Sequence, residues 1–197
     1  MGIHHVALAC RDLEATHRFY TESCGFELVK AQVAPTDSPD GWAKHLFYDT
    51  GTPGQTDPGQ TDPDRAAQPG PMIAFWELHD HRMTDLPTAI STGLGYEPWV
   101  NHLAFAATSV DDMVTRRERW RDHGHDVVQI DHGFCQSIYT NDPSDIVVEF
   151  CVDVVPYTDE DRRAALAALT ATGPGIEPAP VPEFFLARRP APSPATP

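Results

Sequence analysis

Two short segments far apart in the chain echo each other, and they constrain the fold more than any other feature. His5–Ala9 reads HVALA and His102–Ala106 reads HLAFA, so alanine lies two and four residues after each histidine. Side chains along a β-strand alternate between the two faces of a sheet. Each segment is therefore predicted to be a strand with its histidine and alanines on one face and its bulky residues on the other. The echo indicates a duplicated unit that lines one cavity with two histidines.

The elements after each of these strands follow the same order. A helix capped by Asp12 and running to about Cys24 follows the first strand, and a helix from 110 to 123 capped by Ser109 follows the second. Three more strands are predicted in each unit, at 26–33, 44–49 and 72–78 in the first and at 126–131, 135–141 and 146–152 in the second. The order of strand, helix and three strands thus occurs twice, which predicts an α+β protein built from two tandem βαβββ modules.

These patterns divide the chain into four regions. Residues 1–80 form the first module, which carries a low-complexity insertion at 51–71 containing Gly-Gln-Thr-Asp-Pro twice. A linker at 81–98 leads to the second module at 99–155, and residues 156–197 form a C-terminal helix and a Pro/Ala-rich tail. The insertion has little apolar surface to bury, so a surface loop is expected, and a lid is the alternative. Within the tail, the apolar run 184–186 is expected to dock on the body of the protein or on a partner subunit.

Charge and hydropathy narrow the range of partners. The net charge is −15, and an acidic chain repels phosphate backbones and anionic lipid surfaces. No apolar run reaches the roughly 20 residues that a membrane helix needs. The four cysteines show no CxxC spacing and are expected to be reduced. We therefore expect a cytoplasmic protein that acts on a small-molecule substrate, with no nucleic acid or membrane partner.

One carboxylate lies inside an apolar run in the last strand of each module. Glu77 follows His5 by 72 positions and Glu149 follows His102 by 47, and the difference of 25 is close to the length of the insertion. A carboxylate in a buried strand is costly unless it is paired, hydrogen-bonded or bound to a metal. The spacing therefore predicts that the two His/Glu pairs occupy equivalent positions and converge on one divalent metal ion.

The donor set limits the metal without identifying it. Two imidazoles and two carboxylates suit Fe2+, Ni2+, Zn2+, Mn2+ or Co2+, and the lack of thiolate ligands argues against copper(I) and structural zinc. Such an ion acts as a Lewis acid on a carbonyl or enediolate oxygen, or binds dioxygen if it is ferrous.

Several segments resemble the vicinal oxygen chelate superfamily, which includes glyoxalase I, extradiol dioxygenases, methylmalonyl-CoA epimerase and bleomycin-resistance proteins. The similar segments are 2–13, 19–20, 24–26, 101–105 and 142–150. The resemblance implies that the sheets of the two modules curl into a metal-binding cup, with His5, Glu77, His102 and Glu149 as ligands. Asp145 stands where the superfamily turn has glycine, and aspartate tolerates the left-handed conformation better than most residues.

The resemblance leaves three functions open. Likeness to glyoxalase I implies a proton-transfer, isomerase or lyase reaction on a substrate chelated through vicinal oxygens, with Glu77 also serving as the base. Likeness to the extradiol dioxygenases implies ring cleavage of a catechol-like substrate at Fe(II), with Tyr139 contacting the substrate and His132 standing in for the catalytic histidine. The third reading is a non-catalytic small-molecule binding or resistance protein. A homodimer is the assembly that the resemblance implies.

Overall fold

The structure is a computed structural model that describes residues 3–51, 70–83, 85–173, 175–176 and 178–188. Most of the predicted insertion, including both copies of its repeat, lies outside the described residues, as does the end of the tail. The expectation that the insertion is a surface loop or a lid therefore stays a prediction.

Each module contains the predicted elements. The first comprises β1 (His5–Ala9), α1 (Leu13–Arg18), a π-helical turn (Phe19–Ser23), β2 (Glu27–Pro35), β3 (Trp42–Asp49) and β4 (Met72–His79). The second follows a short 3-10 turn (Thr92–Leu94) and comprises β5 (His102–Ala106), α2 (Val110–Asp122), β6 (Val127–Asp131), β7 (Cys135–Asn141) and β8 (Val147–Asp153). A third helix, α3 (Asp159–Thr170), and a short strand, β9 (Glu183–Phe185), complete the described chain.

The two sheets have the same topology, which confirms the predicted α+β fold class. The first sheet has the order β1-β4-β3-β2, and the second has the order β5-β8-β7-β6 with β9 added at its edge. In each sheet the first and last strands of the module pair in parallel, and the other pairs within the module are antiparallel. Both sheets are therefore mixed, as duplication of one βαβββ unit requires.

Capping side chains mark where the two helices begin. The Asp12 side chain accepts a hydrogen bond from the Ala15 amide, and the Ser109 side chain does the same for the Asp112 amide. The sequence did not reveal that the first helix changes to π geometry at Phe19. At the predicted tight turn, Asp145 adopts φ 61°, which confirms its left-handed conformation.

The helices cover one face of each sheet, and the two covered faces share a core. The Tyr20 ring lies over Phe75 of the first sheet, and the Trp120 ring lies over Phe150 of the second. Phe26 joins the modules, because its ring centroid is 6.2 Å from that of Phe150. The other face of each sheet, which we call the open face, carries no helix from the described part of the chain, so polar side chains there remain available for chemistry.

The C-terminal segment closes one edge of the second sheet. β9 pairs antiparallel with β6, and the Arg117 guanidinium lies 4.0 Å from the centre of the Phe185 ring. Docking of this segment on the body of the protein is therefore confirmed. The described helix α3, in contrast, is exposed along its whole length. Among the described residues no helix is both long and apolar enough to cross a bilayer.

Candidate functional site

The second sheet brings three of the predicted site residues together on its open face. β5 and β8 pair so that Ala104 lies beside Glu149, which puts His102 on the same face as the carboxylate. In the next strand pair, Tyr139 lies directly opposite Glu149. Two strand registers thus place an imidazole and a phenol on either side of one carboxylate.

Both carboxylate oxygens of Glu149 have partners. Its Oε2 lies 2.9 Å from His102 Nε2, and its Oε1 accepts a hydrogen bond from the Tyr139 hydroxyl at 3.1 Å. Glu149 is only 5% exposed. Burying an unpaired carboxylate costs several kcal/mol, so these two contacts are what make a glutamate tolerable at this position.

The backbone determines which nitrogen of His102 carries a proton. His102 Nδ1 lies 2.9 Å from the carbonyl oxygen of Trp99. A carbonyl can only accept a hydrogen bond, so Nδ1 carries the hydrogen, and a neutral imidazole then presents a bare lone pair at Nε2. That lone pair faces the Glu149 carboxylate at 2.9 Å. Two acceptors at this distance require either a proton between them, on the ring or on the carboxyl group, or a metal ion.

His132 extends the arrangement toward the surface. Its Nε2 lies 3.0 Å from the Tyr139 hydroxyl oxygen. Because the phenol donates its proton to Glu149, His132 donates to the phenol oxygen. Burial, with a contribution from the charge on Glu149, raises the pKa of Tyr139 well above its usual value. The phenol therefore stays a neutral donor. Its hydroxyl contacts Glu149, and the substrate contact that the resemblance implies for Tyr139 stays a prediction.

His5 occupies the equivalent place in the first sheet. It begins β1 as His102 begins β5, and it lies on the open face with its ring edge-on to Phe47 at a centroid distance of 5.5 Å. Its Nδ1 lies 2.8 Å from Nδ1 of His4. Across the described residues, no group of three or more His, Cys, Asp and Glu side chains is placed to hold a metal. Of the four predicted ligands, only His102 and Glu149 therefore lie next to each other.

The strand register corrects the predicted equivalence of Glu77 and Glu149. In the first sheet the residue beside Ala7 is Ala74, as Glu149 is beside Ala104 in the second. Glu77 is three positions further along β4, and an odd offset turns a side chain to the opposite face. The spacing between His5 and Glu77 predicted otherwise, because the sequence does not mark the ends of the insertion sharply enough to fix the register of β4. The structure thus separates Glu77 from His5 by the thickness of the sheet.

On that opposite face, Glu77 has its own partners. Its Oε2 lies 2.8 Å from Lys44 Nζ and 2.8 Å from His79 Nε2. Partial burial acts to raise the pKa of Glu77, but the hydrogen bonds from Lys44 and His79 outweigh that effect and lower it. The carboxylate is therefore held as an anion in an ion pair, which accounts for its presence in β4 without a metal.

Two features of the open faces were not predicted from the sequence. The Trp99 carbonyl that orients His102 is a backbone group, and no residue type signals it. The second is a stacked set of rings on the open face of the first sheet, in which His45 and Trp76 lie opposite each other on β3 and β4. The alternation along β3 could have revealed His45, since it puts this histidine two residues from Phe47 on one face.

A sequence profile decides the family. The profile of the Glyoxalase/Bleomycin resistance protein/Dioxygenase superfamily matches residues 2–150, which is most of the chain. The chain belongs to this superfamily. The resemblance seen in the sequence is thereby confirmed. The superfamily includes both enzymes and non-catalytic binding proteins. No curated protein sequence matches the chain.

Solved structures of this superfamily are similar to the chain, and the first of them shares its fold. A glyoxalase/bleomycin resistance protein/dioxygenase domain from Frankia sp. EAN1pec is 23% identical, with 78% of this chain and 98% of that chain covered and a TM-score of 0.51. The fosfomycin resistance protein of Listeria monocytogenes is 20% identical, with coverage of 82% and 98% and a TM-score of 0.49. Lactoylglutathione lyase from Agrobacterium tumefaciens is 17% identical, with coverage of 77% and 92% and a TM-score of 0.42.

Proposed function

We propose that this protein is a divalent-metal-dependent enzyme of the superfamily and that His102 and Glu149 hold the ion. The observation that carries the proposal is the position of His102 Nε2, which faces a buried carboxylate oxygen of Glu149 at 2.9 Å while Nδ1 contacts the Trp99 carbonyl. An imidazole nitrogen and a carboxylate oxygen are suitable donors for Fe2+, Ni2+, Zn2+, Mn2+ or Co2+. The hydrogen bond from His102 Nδ1 to the Trp99 carbonyl is of the kind that orients a metal-binding histidine.

His5 is the remaining imidazole that we propose for the ligand set. It holds the position in the first sheet that His102 holds in the second, so the set is completed where the two open faces meet. We expect the two open faces to come together either within one chain or between the two chains of a homodimer. Glu77 is left out of the proposed set because it lies on the helix-covered face of its sheet and is neutralised by Lys44.

A bound divalent ion would supply Lewis acidity to a substrate that chelates it through two neighbouring oxygens. The protein's own contribution is to hold Glu149 and to move protons. Tyr139 fixes Oε1, which leaves Oε2 to face the ion. The hydrogen bonds from His132 through Tyr139 to Glu149 form a path along which a proton can pass from the surface to the carboxylate. We expect this path to serve proton transfer, isomerisation or lyase chemistry.

Metal analysis of protein purified without added ions, followed by titration with Ni2+ and with Mn2+, tests the proposal. We expect His102→Ala and Glu149→Gln to lower the affinity for the metal by more than the roughly 10–100-fold that is typical when a hydrogen bond to a metal ligand is lost. Glu77→Gln is the matched control, since it removes a hydrogen-bonded strand glutamate from the opposite face, and we expect its affinity to be unchanged. Equal affinity of the wild type and Glu149→Gln would refute the assignment and leave His102 and Glu149 as a hydrogen-bonded pair without a metal.

A second candidate, the Fe(II) extradiol dioxygenase, is favoured by the His132–Tyr139 pair beside Glu149. This pair could serve as an acid and base next to a bound catechol. The two candidates differ in their need for oxygen. Turnover of a 2-oxo substrate under anaerobic conditions supports the lyase or isomerase reading, whereas a coloured ring-cleavage product from a catechol panel in air supports the dioxygenase. A protein that binds small molecules with no metal and no turnover would support the non-catalytic reading.

A further inference from the structure

Two tryptophan–histidine stacks lie on opposite faces of the first sheet. On the open face, the His45 and Trp76 rings are 3.7 Å apart and inclined by 13°. On the helix-covered face, the Trp42 and His79 rings are also 3.7 Å apart and inclined by 5°. Both stacks join β3 to β4. The same pair of residue types in the same arrangement therefore provides a direct comparison between the two faces.

The two stacks differ in what their imidazole nitrogens contact. His79 Nε2 contacts Glu77 at 2.8 Å. His45 Nε2 is shielded from solvent and has no hydrogen-bond partner among the described residues, and the residue as a whole is only 7% exposed. A buried polar atom left unpaired costs about 1–3 kcal/mol, and nearly all such atoms in native proteins are paired. A phenylalanine at position 45 would keep the stack without this cost.

The surroundings of His45 indicate what kind of group would pair with it. Its ring lies between Phe47, at 4.1 Å, and Trp76, and both of these rings are half-buried. Burial, with a smaller contribution from His5, lowers the pKa of His45 below its usual 6.5, so its ring is neutral at physiological pH. We call His45, Phe47 and Trp76 the aromatic shelf. It offers flat apolar surfaces and one neutral polar atom, which suits an uncharged flat ligand better than an ion.

We propose that the aromatic shelf binds a flat, uncharged aromatic molecule that bears a hydroxyl or carbonyl group. The ligand's ring stacks on Phe47 or Trp76, and its oxygen pairs with His45 Nε2. Since the nitrogen is shielded, the ligand reaches it only when one of the flanking rings rotates. This site belongs to the first sheet and uses neither His102 nor Glu149, so it stands whether or not the protein binds a metal.

Calorimetric titration of the full, metal-free chain with 2-naphthol tests this site. Binding by the wild type is expected, with about tenfold weaker binding by His45→Phe, which keeps a ring but loses the nitrogen. Trp76→Leu removes a stacking surface and is expected to weaken binding at least as much. Trp42→Phe alters the matched stack on the opposite face and should bind as the wild type does.

Two further measurements separate a ligand site from a purely structural role. Without ligand, His45→Phe should melt at a higher temperature than the wild type, because the unpaired nitrogen is gone. Higher stability combined with weaker binding supports the proposal. Absence of 2-naphthol binding by the wild type, or unchanged binding by a folded His45→Phe, overturns it. Glu149→Gln should bind 2-naphthol normally, so failure of the metal proposal is distinguishable from failure of this one.

Discussion

The two modules have the same topology but have diverged at one patch of their open faces. In the second module Glu149 lies opposite Tyr139, and in the first the equivalent pair is Ala74 opposite Phe47. The first module thus lacks both the carboxylate and the hydroxyl that would bond to it. A buried carboxylate without its donor, or a buried donor without its acceptor, is costly. In these two modules the carboxylate and its hydroxyl donor are therefore present together or absent together, although the strand order is the same.

The sheet edges show a second difference. β2 ends the first sheet, and all nine of its residues are exposed. The corresponding strand β6 is paired with β9 from the C-terminal segment. An uncovered strand edge is a site where another chain can pair. The second module has therefore acquired a cover from its own chain, and the first module has none among the described residues.

The strongest test of the comparison transfers the carboxylate to the first module. Ala74 is fully buried, and Ala74→Glu would place a carboxylate there without its phenol donor. We expect the free energy of unfolding to fall by about 3–5 kcal/mol, the usual cost of an uncompensated buried charge. Urea denaturation measures the loss. In Ala74→Glu/Phe47→Tyr the added hydroxyl should restore about 1–3 kcal/mol. A fully stable single variant would mean that the patch accepts a charge without its donor.

Removing the phenol hydroxyl from the second module is the converse experiment. Tyr139→Phe gives the second module the residue that the first has at the equivalent position, Phe47. It leaves Glu149 Oε1 without its hydrogen-bond donor. We expect metal affinity to fall by roughly 10–100-fold, which is typical when a residue that binds the metal loses a supporting hydrogen bond. Isothermal titration with Ni2+ measures the change. Tyr48→Phe, on the helix-covered face of the first sheet, is the control. Unaltered affinity in Tyr139→Phe would show that this hydrogen bond does not position the carboxylate.

The covered edge of the second sheet can be tested with neighbouring phenylalanines. Phe185 packs against the core beneath Arg117, whereas Phe184 is 72% exposed. We expect Phe185→Ala to lower the free energy of unfolding by about 2 kcal/mol through lost apolar burial and the lost cation–π contact. Phe184→Ala should change it by less than about 0.5 kcal/mol. Equal effects from the two variants, measured by urea denaturation, would show that β9 does not stabilise the second module.

The smallest expected effect concerns pH and the contact between modules. His125 Nε2 lies 3.0 Å from Ser23 Oγ, and burial, with a contribution from His123, lowers the pKa of His125 from its usual 6.5. The unfolded chain therefore binds a proton at this residue at a higher pH than the folded chain does. Its stabilising contribution is fully present above about pH 6.5 and falls as the pH decreases below that value.

Urea denaturation at pH 5.5 and pH 7.5 checks this expectation. The wild type should lose more stability on acidification than His125→Asn, which cannot take up a proton at this position. His4→Asn, at an exposed histidine, serves as the control and should behave as the wild type does. Identical pH dependence in the wild type and His125→Asn would contradict a role for His125.

Much of the fold could be predicted because its signals are local. Alternation of residue types marked the strands, Asp12 and Ser109 marked the helix starts, and the repeated order of elements revealed the duplication. These features depend on residues close together in the chain, so the sequence is sufficient to indicate them. The same alternation correctly put His102 and Glu149 on one face, because both lie in well-defined strands of the second module.

The pairing of strands across the insertion, in contrast, depends on contacts that form only in the folded protein. A shift of three residues in the register of β4 exchanges Ala74 for Glu77 at the equivalent position and moves a carboxylate through the sheet. No local signal determines such a register when the intervening loop is long, because hydrogen bonds between β1 and β4 set it. The unpaired nitrogen of His45 and the backbone contact of His102 are likewise products of packing, since each depends on atoms that only folding brings together.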